Sequence, residues 1–148
     1  MKIAIGGDHA SFDLKYPIYE HLVEKGYEVT DFGAFRGERV DYPAVGEAVA
    51  KAVAAGEYDF GIVICGTGIG ISIAANKVKG IRCALLSDTY SARMTRDHND
   101  ANMMAMGARV VGVELAKDIV DTFLESPCPH EERHMKRVRM IADIENNR

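Results

Sequence analysis

The sequence predicts an α/β fold: a five-stranded parallel sheet between two layers of helices, with an extra helix at the C-terminus. Three observations carry this. Five short apolar runs alternate with segments of helical period, the pattern of strand–helix–strand crossovers. The run Phe60-Gly-Ile-Val-Ile-Cys65 is apolar without alternation, as a strand covered on both faces is. Polar or glycine-rich turns follow several runs, at the strand ends where parallel sheets bind ligands. These are Asp8-His9, Cys65 to Gly70, and Asp88.

In chain order, Lys2–Gly6 is an apolar strand broken by Gly7-Asp8-His9. A helix over about Ser11–Lys25 follows, with Leu14, Ile18 and Leu22 on one face and Gly26 at its end. If Asp13 caps it, Pro17 falls at the edge of the first turn; otherwise Pro17 should kink it. Tyr27–Phe32 alternates as an edge strand does. Gly33–Pro43 is a polar loop carrying Arg36, Glu38, Arg39, Asp41 and Tyr42. Pro43 starts a second helix to about Ala55, with an apolar stripe of Val45, Ala48, Val49, Ala52 and Val53 and a Glu47–Lys51 pair opposite.

The central strand and its glycine turn lead to a helix expected over Ile71–Val78 and ended by Gly80. Ile81–Leu86 is the fourth strand. Asp88 caps a helix to about Arg96, and the polar knot Arg96-Asp97-His98-Asn99-Asp100 follows. Met103–Met106 and Ala108–Val111 form the expected fifth strand, with Gly107 as a break. A helix over Leu115–Leu124, the stiff connector Ser126-Pro-Cys-Pro129, and a last helix from about Glu131 to Glu145 complete the chain. On that last helix Arg133 and Arg137 are one turn apart.

Its 148 residues suit one domain, 1–148, with a sizeable core. A formal net charge of −4 favours neither nucleic acid nor an anionic membrane as partner. No segment has the apolar length to span a bilayer, and the N-terminus lacks a signal-peptide layout. Three cysteines, two of them in strand patterns, point to free thiols in a reducing compartment, by default the cytoplasm.

The stretch Cys65-Gly66-Thr67-Gly68-Ile69-Gly70 is the centre of the chain. Strand, glycine turn and helix aim backbone N–H groups at an anion. The spacing is not the dinucleotide fingerprint, Gly70-Ile71-Ser72 lacks the P-loop lysine, and no arginine closes the loop as a cysteine phosphatase needs. Cys65 at the head of such a turn reads as a thiol base or nucleophile, because amide donors suit an ionised sulfur. Cys83, mid-strand, reads as a small buried hydrophobe. His9 and His98 each have small polar neighbours, Asp8 and Asn99, as site histidines do. Cys128, His130 and His134 are poorly spaced for a closed zinc site, so no metal is expected. Arg133 and Arg137 form either a solvated face or a phosphate contact.

Gly7-Asp8-His9-Ala10, Asp41-Tyr42-Pro43, Ile64 through Lys77, Gly80-Ile81-Arg82, His98-Asn99-Asp100-Ala101-Asn102 and Arg133-His134-x-x-Arg137 occur in that order. In these motifs the chain resembles the type B ribose-5-phosphate isomerases, a group that includes galactose-6-phosphate isomerase subunits and allose-6-phosphate-active members. The resemblance spans the chain and implies a Rossmann-like three-layer αβα sandwich. It implies aldose–ketose isomerisation of a sugar phosphate through an enediolate, with no metal or organic cofactor. Cys65 would be the base. Thr67 and His98 would open the furanose ring. The N–H groups of Gly66, Gly68, Ile69 and Gly70 would hold the enediolate. Asp8, Tyr42 and Asn99 would contact hydroxyls, and His9, Arg109, Arg133 and Arg137 the phosphate. A homodimer or dimer of dimers with shared active sites is implied as well. Two departures stand out: Ser11 where glycine or alanine is common, and Glu131-Glu132 where a glycine pair usually precedes Arg133.

Two rivals to a ribose 5-phosphate isomerase share this sequence pattern. One is an isomerase for a six-carbon sugar phosphate. The other is a non-catalytic sugar-phosphate or nucleotide-binding module, in which Asp88 would serve as a ribose-binding acid.

Overall fold

A computed structural model describes residues 1–147. The elements run β1 (Lys2–Gly7), α1 (Phe12–Glu24), β2 (Glu28–Asp31), α2 (Tyr42–Ala54), β3 (Phe60–Cys65), α3 (Ile69–Ala75), β4 (Cys83–Leu85), α4 (Thr89–Asn99), β5 (Met103–Gly107), α5 (Val113–Glu125) and α6 (Glu132–Asn146). All strand pairs are parallel, in the order β2-β1-β3-β5-β4. The chain winds outward from β1 to β2, then returns past β1 to build the other half from β3. The reversal lies between β1 and β3, so the crevice that receives ligands opens above Gly7 and Cys65.

Strand side chains divide by the two-residue period of the pleat. Ile3, Ile5, Ile62, Ile64, Met104 and Met106 face α1, α4 and α5, whose Leu14, Ile18, Ala92, Ile119 and Phe123 cover them. Ala4, Val63, Cys65, Met103 and Ala105 face α2 and α3, against Val45, Val49, Ile71 and Ala75. Both faces are therefore buried, which is why β3 reads as an unbroken apolar run. Each fully covered Leu, Ile or Phe contributes about 1.5–3 kcal/mol by leaving water. β2 keeps one half-buried face, with the alternation expected of an edge.

Several expectations are corrected. α1 is capped at Ser11, not Asp13, and runs on through Pro17 in its second turn. α3 starts at Ile69, two residues early, because Gly68 at φ +77° already makes the N-terminal turn. β4 is confined to Cys83–Leu85. α4 continues to Asn99 through the polar knot, which is satisfied in place: Asp100 accepts hydrogen bonds from Arg82 (3.3 Å) and Arg96 (3.1 Å). Ala108–Val111 is not strand but a tight turn, in which the N–H groups of Val110 and Val111 both donate to Gly107 O. The Glu47–Lys51 pair is present at 2.6 Å.

α6 packs on α4 and buries only His134. Its Met140, Ile141 and Ile144 remain exposed. Among the described residues no helix is long and apolar enough to cross a membrane.

Candidate active site

β3 delivers Cys65 to the carboxyl edge of the sheet, level with Gly107 of β5. The Gly68 N–H donates to Cys65 Sγ at 3.1 Å, and the Ile69 N–H donates to Thr67 Oγ1 at 3.2 Å. The Gly70 and Ile71 amides, in the first turn of α3, have no acceptor among the described residues. A sulfur and a set of free amide donors thus converge on one turn. Cys65 is 4% exposed, while Thr67 and Ile69 stand open above it.

The Asp8 turn sits beside this one. The Asp8 N–H donates to Ile64 O (3.3 Å), Asp8 Oδ1 accepts the Ala10 N–H (2.9 Å), and the buried Ser11 hydroxyl donates to Asp8 O (2.7 Å). Ser11 is a positioning group that sequence reasoning registered only as a departure from the family pattern. His9 Nδ1 pairs with Val40 O at 3.3 Å. A carbonyl can only accept, so Nδ1 is the donor in this contact, which leaves Nε2 for a ligand. Tyr42, at the start of α2, packs on Gly70; a Cβ there would lie 2.5 Å from Tyr42 Cζ. The Arg109 N–H donates to Gly66 O (3.0 Å), its guanidinium lies over Gly66, and with His9 it lines a cavity of about 290 Å³.

The remaining candidates lie elsewhere. His98 and Asn99 end α4, beside Ala101 and Asn102 at the amino edge of β5. Arg133 and Arg137 are exposed on α6, which packs there. β5 alone separates its two ends by ~13 Å, four steps of about 3.3 Å. One chain therefore groups Asp8, His9, Tyr42, Cys65 to Gly70 and Arg109 at one edge, and His98, Asn99, Arg133 and Arg137 at the other. At that second edge His98 stacks on His134, centroids 4.2 Å apart. Burial holds the His134 pKa below the usual histidine range, and the charges of His98 and Arg133 push the same way. Glu131 accepts from Arg133 Nε at 2.8 Å and Glu132 pairs with Arg139, so both carboxylates are engaged.

The larger cavity, about 510 Å³, also lies at this edge, between Arg82, Asn99, Ile141 and Ile144, away from Cys65. Asp100, Cys128 and His130 bring ligand atoms within 4.8 Å of one another, but both Asp100 oxygens already serve Arg82 and Arg96. Cys83 is buried in β4, and desolvation pushes its thiol up to about 12, in keeping with a packing role. Asp88 is the N-cap of α4, accepting the Ser91 N–H at 2.6 Å.

Fold and site together define a doubly wound α/β protein with a thiol, free amides and an arginine–histidine cavity above its sheet switch point. A family model described as Ribose/Galactose Isomerase matches residues 3–141, and the chain belongs to that family. It is 55% identical to the ribose-5-phosphate isomerase B of Escherichia coli, over 99% of this chain and 98% of that one. It is 43% identical to the galactose-6-phosphate isomerase subunit LacB of Clostridium acetobutylicum, over 99% and 85%. The solved ribose-5-phosphate isomerase B of Clostridium thermocellum superposes with a TM-score of 0.96 at 56% identity, covering 99% of each chain.

Proposed function

We propose that this protein is an aldose–ketose isomerase interconverting ribose 5-phosphate and ribulose 5-phosphate. The observation that carries the reading is the Cys65 sulfur at the head of the amide turn, beside the His9–Arg109 cavity. Its full-length similarity to ribose-5-phosphate isomerases B supports the choice of substrate.

In this reading Thr67 and His98 open the furanose by moving a proton between the ring oxygen and the C1 hydroxyl. Cys65 takes the proton from C2 of the open aldose, and the electron pair passes to the carbonyl oxygen as the enediolate forms. The amides from Gly66 to Gly70 hold that negative charge. Cys65 returns the proton to C1, a hydroxyl proton shifts between the two oxygens, and the ketose results. Asp8, Tyr42 and Asn99 orient the hydroxyls. His9, Arg109, Arg133 and Arg137 bind the phosphate.

His98 and Cys65 meet in this scheme only if a second copy of the chain supplies His98, Asn99, Arg133 and Arg137. We therefore read the working unit as a homodimer, or a dimer of dimers, with shared sites. The exposed apolar stripe of α6 is consistent with burial against such a copy. Three free thiols agree with a cytoplasmic location.

The similarity to a galactose-6-phosphate isomerase subunit favours one second reading, a six-carbon sugar phosphate as substrate. Side-by-side rates on ribose 5-phosphate, allose 6-phosphate and galactose 6-phosphate separate the two. The first reading expects the highest kcat/KM on ribose 5-phosphate. Absence of turnover and of solvent-deuterium uptake on all three sugars would leave only a binding module.

A further inference from the structure

The cavity beside His9 and Arg109 holds a second arginine that no motif marked. Arg36, in the loop between β2 and α2, lines it together with Phe12 and Asp13 from the first turn of α1. The Arg36 guanidinium lies over two rings, 4.8 Å from the Tyr16 centroid and 5.9 Å from that of Phe12. These rings are one helical turn apart and stack at 5.9 Å. The Arg36 N–H also donates to the Tyr16 hydroxyl at 3.2 Å. An arginine held over such a platform loses less freedom on meeting a ligand than a free one.

The loop itself is tied down. Lys15 Nζ, fully buried, donates to Asp31 Oδ1 (2.9 Å) and to Ala34 O (2.6 Å). The Gly7 N–H donates to Gly33 O (2.7 Å), which fixes the loop against the Asp8 turn. The arginine ion pairs of the described residues involve Arg82, Arg96, Arg133 and Arg139, and neither Arg36 nor Arg109. Two arginines and a histidine therefore line one cavity whose only acid, among the described residues, is Asp13. The N-terminus of the 13-residue α1 opens at the same place and adds positive potential.

We propose that Arg36 is a substrate-binding residue that contacts the phosphoryl group alongside Arg109 and His9. This deepens the isomerase reading and rests on it for the substrate. The anion-binding part stands on the cavity alone, so inorganic phosphate tests it separately.

The experiment compares wild type, Arg36→Met, Arg36→Lys and Asp13→Asn in the full-length protein. Inorganic phosphate binding is measured by calorimetry, and KM and kcat on ribose 5-phosphate by a coupled assay. The expected result for Arg36→Met is about a tenfold weaker phosphate affinity and a similar rise in KM, with kcat within about twofold. Arg36→Lys recovers part of the loss, and Asp13→Asn tightens phosphate. The salt dependence of KM becomes shallower in Arg36→Met, because one fewer cation is screened. Unchanged phosphate affinity in a folded Arg36→Met, or a fall in kcat with KM fixed, overturns the proposal. If wild type binds phosphate through Arg36 but turns over no sugar, the isomerase reading fails while the anion site stands.

Discussion

The Cys65 thiol and the His98 imidazole stand at opposite edges of one parallel sheet. Cys65 ends β3 at the carboxyl edge, while His98 lies in the last turn of α4, which has returned the chain to the amino edge. The proposed base and the proposed ring-opening group, so separated, cannot act on one sugar within a single chain.

Mixing two inactive variants tests this directly. Cys65→Ala and His98→Gln, dissociated and reassembled together, should regain up to about a quarter of wild-type activity, since half the random dimers carry one intact shared site. Activity that stays at the sum of the two parents would show that each chain works alone.

Cys65→Ala by itself should lower kcat by about 10²–10⁴-fold, the usual worth of a positioned proton-transfer group, and leave KM within a few-fold. A variant of undiminished kcat would remove the sulfur from the mechanism. Stopped-assay turnover with ribose 5-phosphate reads the difference.

Gly68→Ala should damage both stability and catalysis. Its φ of +77° costs a side chain about 1–2 kcal/mol, and the new Cβ would lie 2.7 Å from the Met106 carbonyl carbon. The turn that brings an N–H to Cys65 Sγ would have to shift. Thermal unfolding should move down by several degrees, in keeping with about 1–2 kcal/mol, and kcat should fall with it.

The His98–His134 stack should make the docking of α6 on α4 sensitive to acid. The His134 pKa is lowered in the folded chain by burial, then by His98 and Arg133, with Glu131 and Asp97 opposing. The unfolded chain therefore binds the proton more readily, and stability rises with pH through the range between the two values. Unfolding followed from pH 7.5 down to 5.5 should show a loss on acidification below the ordinary histidine range of about 6.5. His134→Gln should flatten that dependence. A parallel slope in wild type and variant would assign the acid sensitivity to other groups.

The sheet was legible because its signal is local. Two-sided burial writes Phe60–Cys65 as an unbroken apolar run, and one-sided burial writes the alternation around β2. Helix ends were less legible. Gly70 reads as part of a turn, yet it is helical because Gly68 at φ +77° already makes the N-terminal turn; the Tyr42 ring, lying where a side chain would be, is why position 70 is glycine. The knot from Arg96 to Asp100 reads as a break, yet α4 runs through it because Arg82 and Arg96 reach Asp100. At the knot a distant residue, Arg82, overrides local propensity.

Period, turn chemistry and motif order in the sequence determined the α/β class, the thiol at the head of its amide turn, and the two sets of candidate polar residues. Only the tertiary structure decided their grouping: His9, Arg36 and Arg109 around one cavity, and His98 against His134 on the far edge. The reason is that periodicity reports which face of an element is covered, while the neighbours that cover it come from segments tens of residues away. Where those segments meet is set by packing of the whole sheet and its helices.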